Sequence, residues 1–192
     1  MPGTRERIVA ASADLMARQG FAATGVKQIA EAGRAPFGSI YHFFPGGKEE
    51  IGTEAIRRSG AAYEQLIPAV FDAAPDVETG VRMFFAGAAA HLEDTDYQDA
   101  CPIATIALEV SSCSEPLRMA CAEVFESWIR AGTARFASLG LAAERTRELV
   151  IAMIAALEGA FVLCRATRST VALIVAGEMM ANEVVRAQER PL

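Results

Sequence analysis

One stretch of this 192-residue chain, Thr24 to Lys48, gathers several different groups that can hold an anion. It carries hydroxyls on Ser39 and Tyr41, an imidazole on His42, aromatic rings on Phe37, Phe43 and Phe44, and the only two lysines of the chain, Lys27 and Lys48. Hydroxyl, imidazole and ammonium donors bond phosphate oxygens and base edges, and an aromatic ring can pack on a thymine methyl, so the stretch suits contact with a nucleic acid. Catalysis has less to work with. There is no glycine-rich phosphate loop, no serine or cysteine beside a candidate base, and only two histidines, His42 and His91. The four cysteines, Cys101, Cys113, Cys121 and Cys164, include no Cys-x-x-Cys pair. Neither a zinc site nor another cofactor is expected, and the chain does not read as an enzyme.

Side chains that read a groove need a narrow, rigid frame, and the local pattern supplies a helix, a tight turn and a second short helix. Thr24 or Gly25 is placed to cap the first, with Val26, Ile29 and Ala30 at helical spacing. Gly33, Arg34 and Ala35 break it. Pro36 suits the first position of the next helix, which carries Phe37 to Phe44 and is ended by Pro45, Gly46 and Gly47. The pattern predicts a helix-turn-helix over about residues 26–44.

The flanking chain is helical as well. Thr4 to Gln19 repeats Ile8, Ala11, Leu15 and Met16, with Thr4 as cap and Gly20 as stop. A long helix begins after Gly47 with Ile51, Ala55, Ala62, Tyr63 and Leu66 on one face, until Pro68 bends or ends it. Asp76 caps a helix from Val77 to Glu93 whose inward face is Val81, Phe84, Ala88, His91 and Leu92. Further helices are expected from Pro102 to Val110, from a Ser114 cap to about Ser138, from Glu144 to Ala166, and onward to about Gln188. No strand pattern appears. The fold class is all-α, with about nine helices forming an N-terminal three-helix head and a helical-bundle body.

Charge follows the same division. Residues 1–48 hold six basic and three acidic side chains, a balance of +3, so with −6 overall the remainder carries −9. A basic head on an acidic body fits a DNA-contacting N-terminus. The most apolar run, Leu149 to Cys164, contains Glu158 and Gly159, is flanked by Arg145, Arg147 and Arg165, and falls short of the about 20 apolar residues of a membrane span. It reads as a buried bundle helix, with no membrane as partner. No charged-then-apolar leader precedes Thr4, so the expected location is cytoplasmic, with reduced thiols. In the body, Phe84, Phe125 and Trp128, with His91, Glu109 and Glu158 as isolated polar groups, can line an apolar ligand cavity with polar anchors. Taken singly, each reads more readily as ordinary core, and Glu158 can bind a ligand or bond across a subunit interface.

Thr24 to Ala30, then Gly38-Ser39-Ile40-Tyr41 with Phe44, then Lys48-Glu49-Glu50, resemble the DNA-binding region of the TetR family of bacterial transcriptional regulators. The run Phe44-Pro45-Gly46-Gly47-Lys48-Glu49-Glu50, with Cys101-Pro102-Ile103, resembles its LmrA/YxaF-like branch, and Ala156-Leu157-Glu158-Gly159-Ala160 is a further match. The chain departs from the family at Arg34, where glycine is usual, and at Phe37, where a polar or basic residue is common. The resemblance implies a DNA-binding region over residues 4–64 and a ligand-binding and dimerisation domain over residues 65–192. It implies that Lys27, Pro36, Phe37, Ser39, Tyr41, His42 and Lys48 lie at the surface of double-stranded operator DNA, with Phe37 either on DNA or packed inward. It further implies a homodimer built on the last two helices, for which Ala152, Ala155, Ala156, Gly159 and Ala160 offer a face of close approach. The implied function is a ligand-responsive repressor released from its operator by a small apolar or amphipathic molecule. A regulator sensing oxidation through Cys113 and Cys121 is the alternative, and a helical module or enzyme whose head is not used on DNA is a third.

Overall fold

The computed structural model of the chain describes residues 3–189 and is helical with no strand among them. In chain order the helices are α1 (Thr4–Gln19), α2 (Val26–Ala32), α3 (Phe37–Phe43), α4 (Gly47–Glu64), α5 (Leu66–Phe71), α6 (Val77–Asp94), α7 (Pro102–Val110), α8 (Glu115–Phe136), α9 (Ala143–Thr167) and α10 (Val171–Glu189). A single 3-10 turn, Ala137–Leu139, follows α8. The end of the expected second domain, residues 190–192, lies outside the described residues.

Two compact units divide the chain. The first joins the residues up to Ala62 with Cys101–Phe125; the second joins Tyr63–Ala100 with the residues from Glu126 onward. In the first, Ile8, Met16, Ile29, Ile40, Phe44, Ile51 and Ile56 are fully buried and form a core under the helix-turn-helix. There α7 and the first half of α8 pack with α1 and α4, and the methyls of Val124 fill space that a Cβ at Gly60 would need. In the second, α6 packs on α10 and α5, and α9 on α10, around Phe85, Leu92, Phe136, Val150 and Leu173.

Most helix ends follow from local chemistry. Asp76 caps α6 by accepting from Thr79 N–H at 2.7 Å, and Cys101 caps α7 with its Sγ ahead of Pro102. Other ends differ from expectation. Gly3, not Thr4, stands at the N-cap of α1. Of the two caps offered for α2, Gly25 is the one used, because the Thr24 hydroxyl turns inward and donates to Gly20 O at 2.7 Å. The long helix after Gly47 stops at Glu64, ahead of Pro68, whose missing N–H cannot bond the Glu64 carbonyl; Pro68 then sits in the first turn of a separate helix, α5. Ala62 and Leu66 consequently lie exposed and leave the expected inward face.

The inward face of α6 is Gly80, Val81, Phe85, Ala89 and Leu92. One residue of offset is about 100° of rotation on a helix, which leaves Phe84 half-buried and His91 exposed. Helix α9 is likewise only partly buried. Leu149, Val150, Met153, Ala160, Phe161 and Cys164 face the core, whereas Ile151, Val162 and Leu163 are exposed, and 33% of its most apolar window is covered.

Candidate nucleic-acid interface

The frame of the site is α2, its turn and α3. Helix α2 ends in a double closure: Ala35 N–H donates to Ala30 O at 2.9 Å, and Arg34 N–H to Glu31 O at 3.1 Å. This is the Schellman arrangement, which puts the residue after the C-cap into the left-handed region. That residue is Arg34, with φ 48, while Gly33 before it is ordinary right-handed helix at φ −75. The glycine is spent on contact instead. A Cβ at Gly33 would lie 3.1 Å from Ile29 O, 3.3 Å from Arg7 O and 3.3 Å from Ile8 Cα, all backbone atoms. Helix α1 therefore presses against the end of α2, and the left-handed position falls to a residue for which it costs about 1 kcal/mol or more. Arg7 braces the turn from α1, its guanidinium donating to Gly33 O at 3.1 Å and to Arg34 O at 3.3 Å.

Pro36, with φ −56 and ψ 137, is the N-cap of α3, one place before the first helical position expected for it. The helix is anchored by Ile40 and by Phe44 just beyond its end, both fully buried. Its other face is open. Phe37 is 52% and Tyr41 53% exposed, and their rings meet edge to face with centroids 5.9 Å apart. Pro36, Gly38 and His42 are exposed beside them, Ser39 is half-buried, and the His42 ring lies against Phe43 at 4.9 Å. Lys27 is exposed on α2 and lines, with Ala30, Glu31, Ala35 and Phe37, a shallow groove between the two helices. Six of the seven residues expected at DNA thus share the open side of one helix pair.

Lys48 is placed differently. Half-buried in the first turn of α4, it donates through Nζ to Ala22 O at 3.2 Å and stands 4.4 Å from the Phe21 ring centroid. Desolvation lowers its pKa below the usual lysine value, and the Glu109 carboxylate pulls in the opposite direction. Two other head cations are also engaged: Arg5 pairs with Glu54 and lies over the Phe44 ring, and Arg7 holds the turn.

The residues expected at a ligand are divided between the two units, Glu109 and Phe125 in the first and Phe84, His91, Trp128 and Glu158 in the second. Glu109, on α7, accepts from Ala22 N–H at 2.8 Å and so belongs to the loop between α1 and α2. Phe84 is grouped with Phe71, whose ring centroid is 6.0 Å away, and Phe71 with Phe136 at 5.5 Å. Trp128 is buried and stacks on Tyr63 at 6.2 Å. Phe125 and Glu158 are half-buried, and His91 is exposed. Among the described residues no cluster of His, Cys, Asp and Glu could hold a metal ion.

Of the residues that build this turn, Arg34 stands out in the sequence as a departure from the family, whereas Arg7 does not. The signal for Arg34 was the displaced glycine at 33; the brace from Arg7 depends on a contact 26 residues away and left no local sign.

Comparison with known proteins agrees with this arrangement. Residues 8–55 match the bacterial regulatory proteins of the tetR family, and residues 78–179 match the C-terminal domain of LmrA/YxaF-like transcriptional regulators. The HTH-type transcriptional regulator YxaF of Bacillus subtilis is 32% identical over 177 residues, covering 92% of this chain and 93% of that protein. LmrA of the same organism is 30% identical over 171 residues, covering 89% and 91%. The crystal structure of the regulatory protein TetR from Rhodobacter sphaeroides has the same fold, with a TM-score of 0.80 at 21% identity over 92% of this chain and 96% of that one. A head of three helices with an open recognition surface, joined to a body that matches across most of its length, makes this chain a member of the TetR family of transcriptional regulators, in its LmrA/YxaF-like branch.

Proposed function

We propose that this regulator acts as a homodimeric repressor, cytoplasmic and released from its operator by a small apolar or amphipathic effector. The observation that carries the DNA half is the outer face of α3, where Pro36, Phe37, Gly38, Tyr41 and His42 are exposed on a helix whose opposite side is fully buried. A short helix with that profile can enter a major groove. In this reading residues 4–64 bind DNA and residues 65–192 dimerise and receive the effector.

The dimer is supported by the far end of the chain. Ile151, Val162 and Leu163 on α9, and Val171, Ile174, Val175 and Met179 on α10, are exposed, and nothing stands within 4 Å of a Cβ built at Gly159. A second copy laid on this aliphatic face would bury it, and a dimer that reads successive major grooves needs its two α3 helices about 34–36 Å apart. The body supplies aromatic surface for an effector in Phe84 and Trp128 with Glu158 as a polar group. A coupling of about 1–3 kcal/mol between effector and DNA would weaken operator binding roughly 5- to 150-fold.

The thiols give little support to redox sensing. Cys101, Cys121 and Cys164 are buried, burial raises the Cys121 thiol to about 11, and the exposed Cys113 places its Sγ against the carbonyls of Glu109 and Val110. Burial disfavours the thiolate of Cys121.

The test is selection of bound fragments from random DNA by the purified protein, followed by a compound screen for release. A palindromic site held by a dimer is expected, with Val175→Glu abolishing both dimer and binding. A monomeric protein that still selects a single half-site would overturn the dimeric reading.

A further inference from the structure

We propose that Arg34 is a DNA-backbone contact, a phosphate ligand presented by the turn between α2 and α3. The inference rests on the reading of α3 as the recognition helix. It starts from the misfit already described: a left-handed φ of 48 in a Schellman closure, at the one position of the turn where glycine would be free of strain. Asp96, Tyr97 and Arg168 also have positive φ, so the strain does not assign a role by itself, but strain held in place by the surrounding structure concentrates at functional sites.

Four further observations converge on a role in binding. The Arg34 backbone is held, not loose, because Arg7 donates to both Gly33 O and Arg34 O. The side chain is exposed and its guanidinium has no hydrogen-bond or ion-pair partner among the described residues. Arg5, Arg7 and Lys48, in contrast, are committed to partners within the head. Arg34 also precedes Phe37, the first residue of α3, by three positions. A guanidinium on a braced turn ahead of a groove-entering helix reaches the flanking phosphates, where its planar fork suits two oxygens.

The experiment uses the full-length protein and a DNA fragment it has selected from a random pool. Arg34→Gly, Arg34→Lys and wild type are compared by fluorescence anisotropy across a salt series and by thermal melting. Arg34→Gly is expected to melt no lower than wild type yet bind about 5- to 20-fold more weakly. Its plot of log K against log salt should be shallower by about 0.9 per head. Arg34→Lys, which keeps the charge, should retain the slope. If Arg34→Gly keeps both affinity and slope while wild type binds normally, Arg34 is no phosphate ligand and the recognition helix stands without it. A wild-type protein that retains no DNA overturns the reading of α3, and this inference with it.

Discussion

Removing the Glu109 carboxylate tests whether α7 is fastened to the DNA-binding head. Ala22 is held on two sides, its N–H donating to Glu109 Oε2 at 2.8 Å and its carbonyl accepting from Lys48 Nζ at 3.2 Å. Gly20 makes the approach possible. Its φ is 80, and a Cβ there would fall 1.8 Å from Glu109 Oε1. A hydrogen bond to a charged group contributes about 1.5–3 kcal/mol, and exposure of the carboxylate puts this one at the low end. The solvent-screened attraction to Lys48 adds less than about 1 kcal/mol.

Glu109→Ala should therefore cost about 1.5–2 kcal/mol and, at roughly 2–4 °C per kcal/mol for a chain of this size, lower Tm by about 3–8 °C. Glu109→Gln keeps an acceptor and should lose about half as much. The pH dependence follows from Lys48. Its lowered pKa means the folded state sheds that proton before the unfolded state does, so its unfavourable burial fades as pH rises toward and beyond 10.5. With Lys48 neutral, the charge part of the Glu109 effect vanishes, and the gap between wild type and Glu109→Ala should narrow. Scanning fluorimetry at neutral pH and above pH 10 measures both. An unchanged Tm for Glu109→Ala, or a gap that widens with pH, would refute the reasoning.

The packing at the turn predicts that Gly33→Ala destabilises the head by about 1–3 kcal/mol, since the atoms a Cβ would meet are backbone and cannot swing aside; urea unfolding measures it, and a neutral result would mean that α1 shifts freely. The raised Cys121 thiol predicts a loss of stability at high pH. The folded state keeps this proton to about 11 whereas an ordinary thiol loses it near 9.0, so the contribution is complete below 9.0 and disappears as pH climbs through about 11. Cys121→Ala should flatten that decline, and iodoacetamide at pH 8 should label Cys113 while sparing Cys121 in the native protein.

The helices themselves were legible because their punctuation is local. The limits of α1 and α7, the Asp76 cap and the short recognition helix follow from residues within a few positions of each boundary. What lay beyond the sequence depended on contacts between distant segments. His91 was assigned to the inner side of α6 because an apolar stripe can be drawn through it; the stripe that is buried runs one residue away, set by Phe85 against Gly177 on α10. Glu109 looked like a stray carboxylate in an apolar body because Ala22, its partner, is 87 residues away. Arg34 was visible as an anomaly, but its meaning required the left-handed φ and the backbone crowding at Gly33.

The membership of Cys101–Phe125 in the first unit bears on how such regulators can be cut and recombined. A fragment ending near Ala62 would lose Glu109 from the α1–α2 loop, Ser114 from its bond with Glu49, and Leu117 and Val124 from their seats against Gly52 and Gly60. Its apolar underside would be left open to water. Chimeras that graft this operator-reading module onto a foreign sensor must therefore carry a second, non-contiguous segment of the chain, and a single crossover after α4 is the wrong seam.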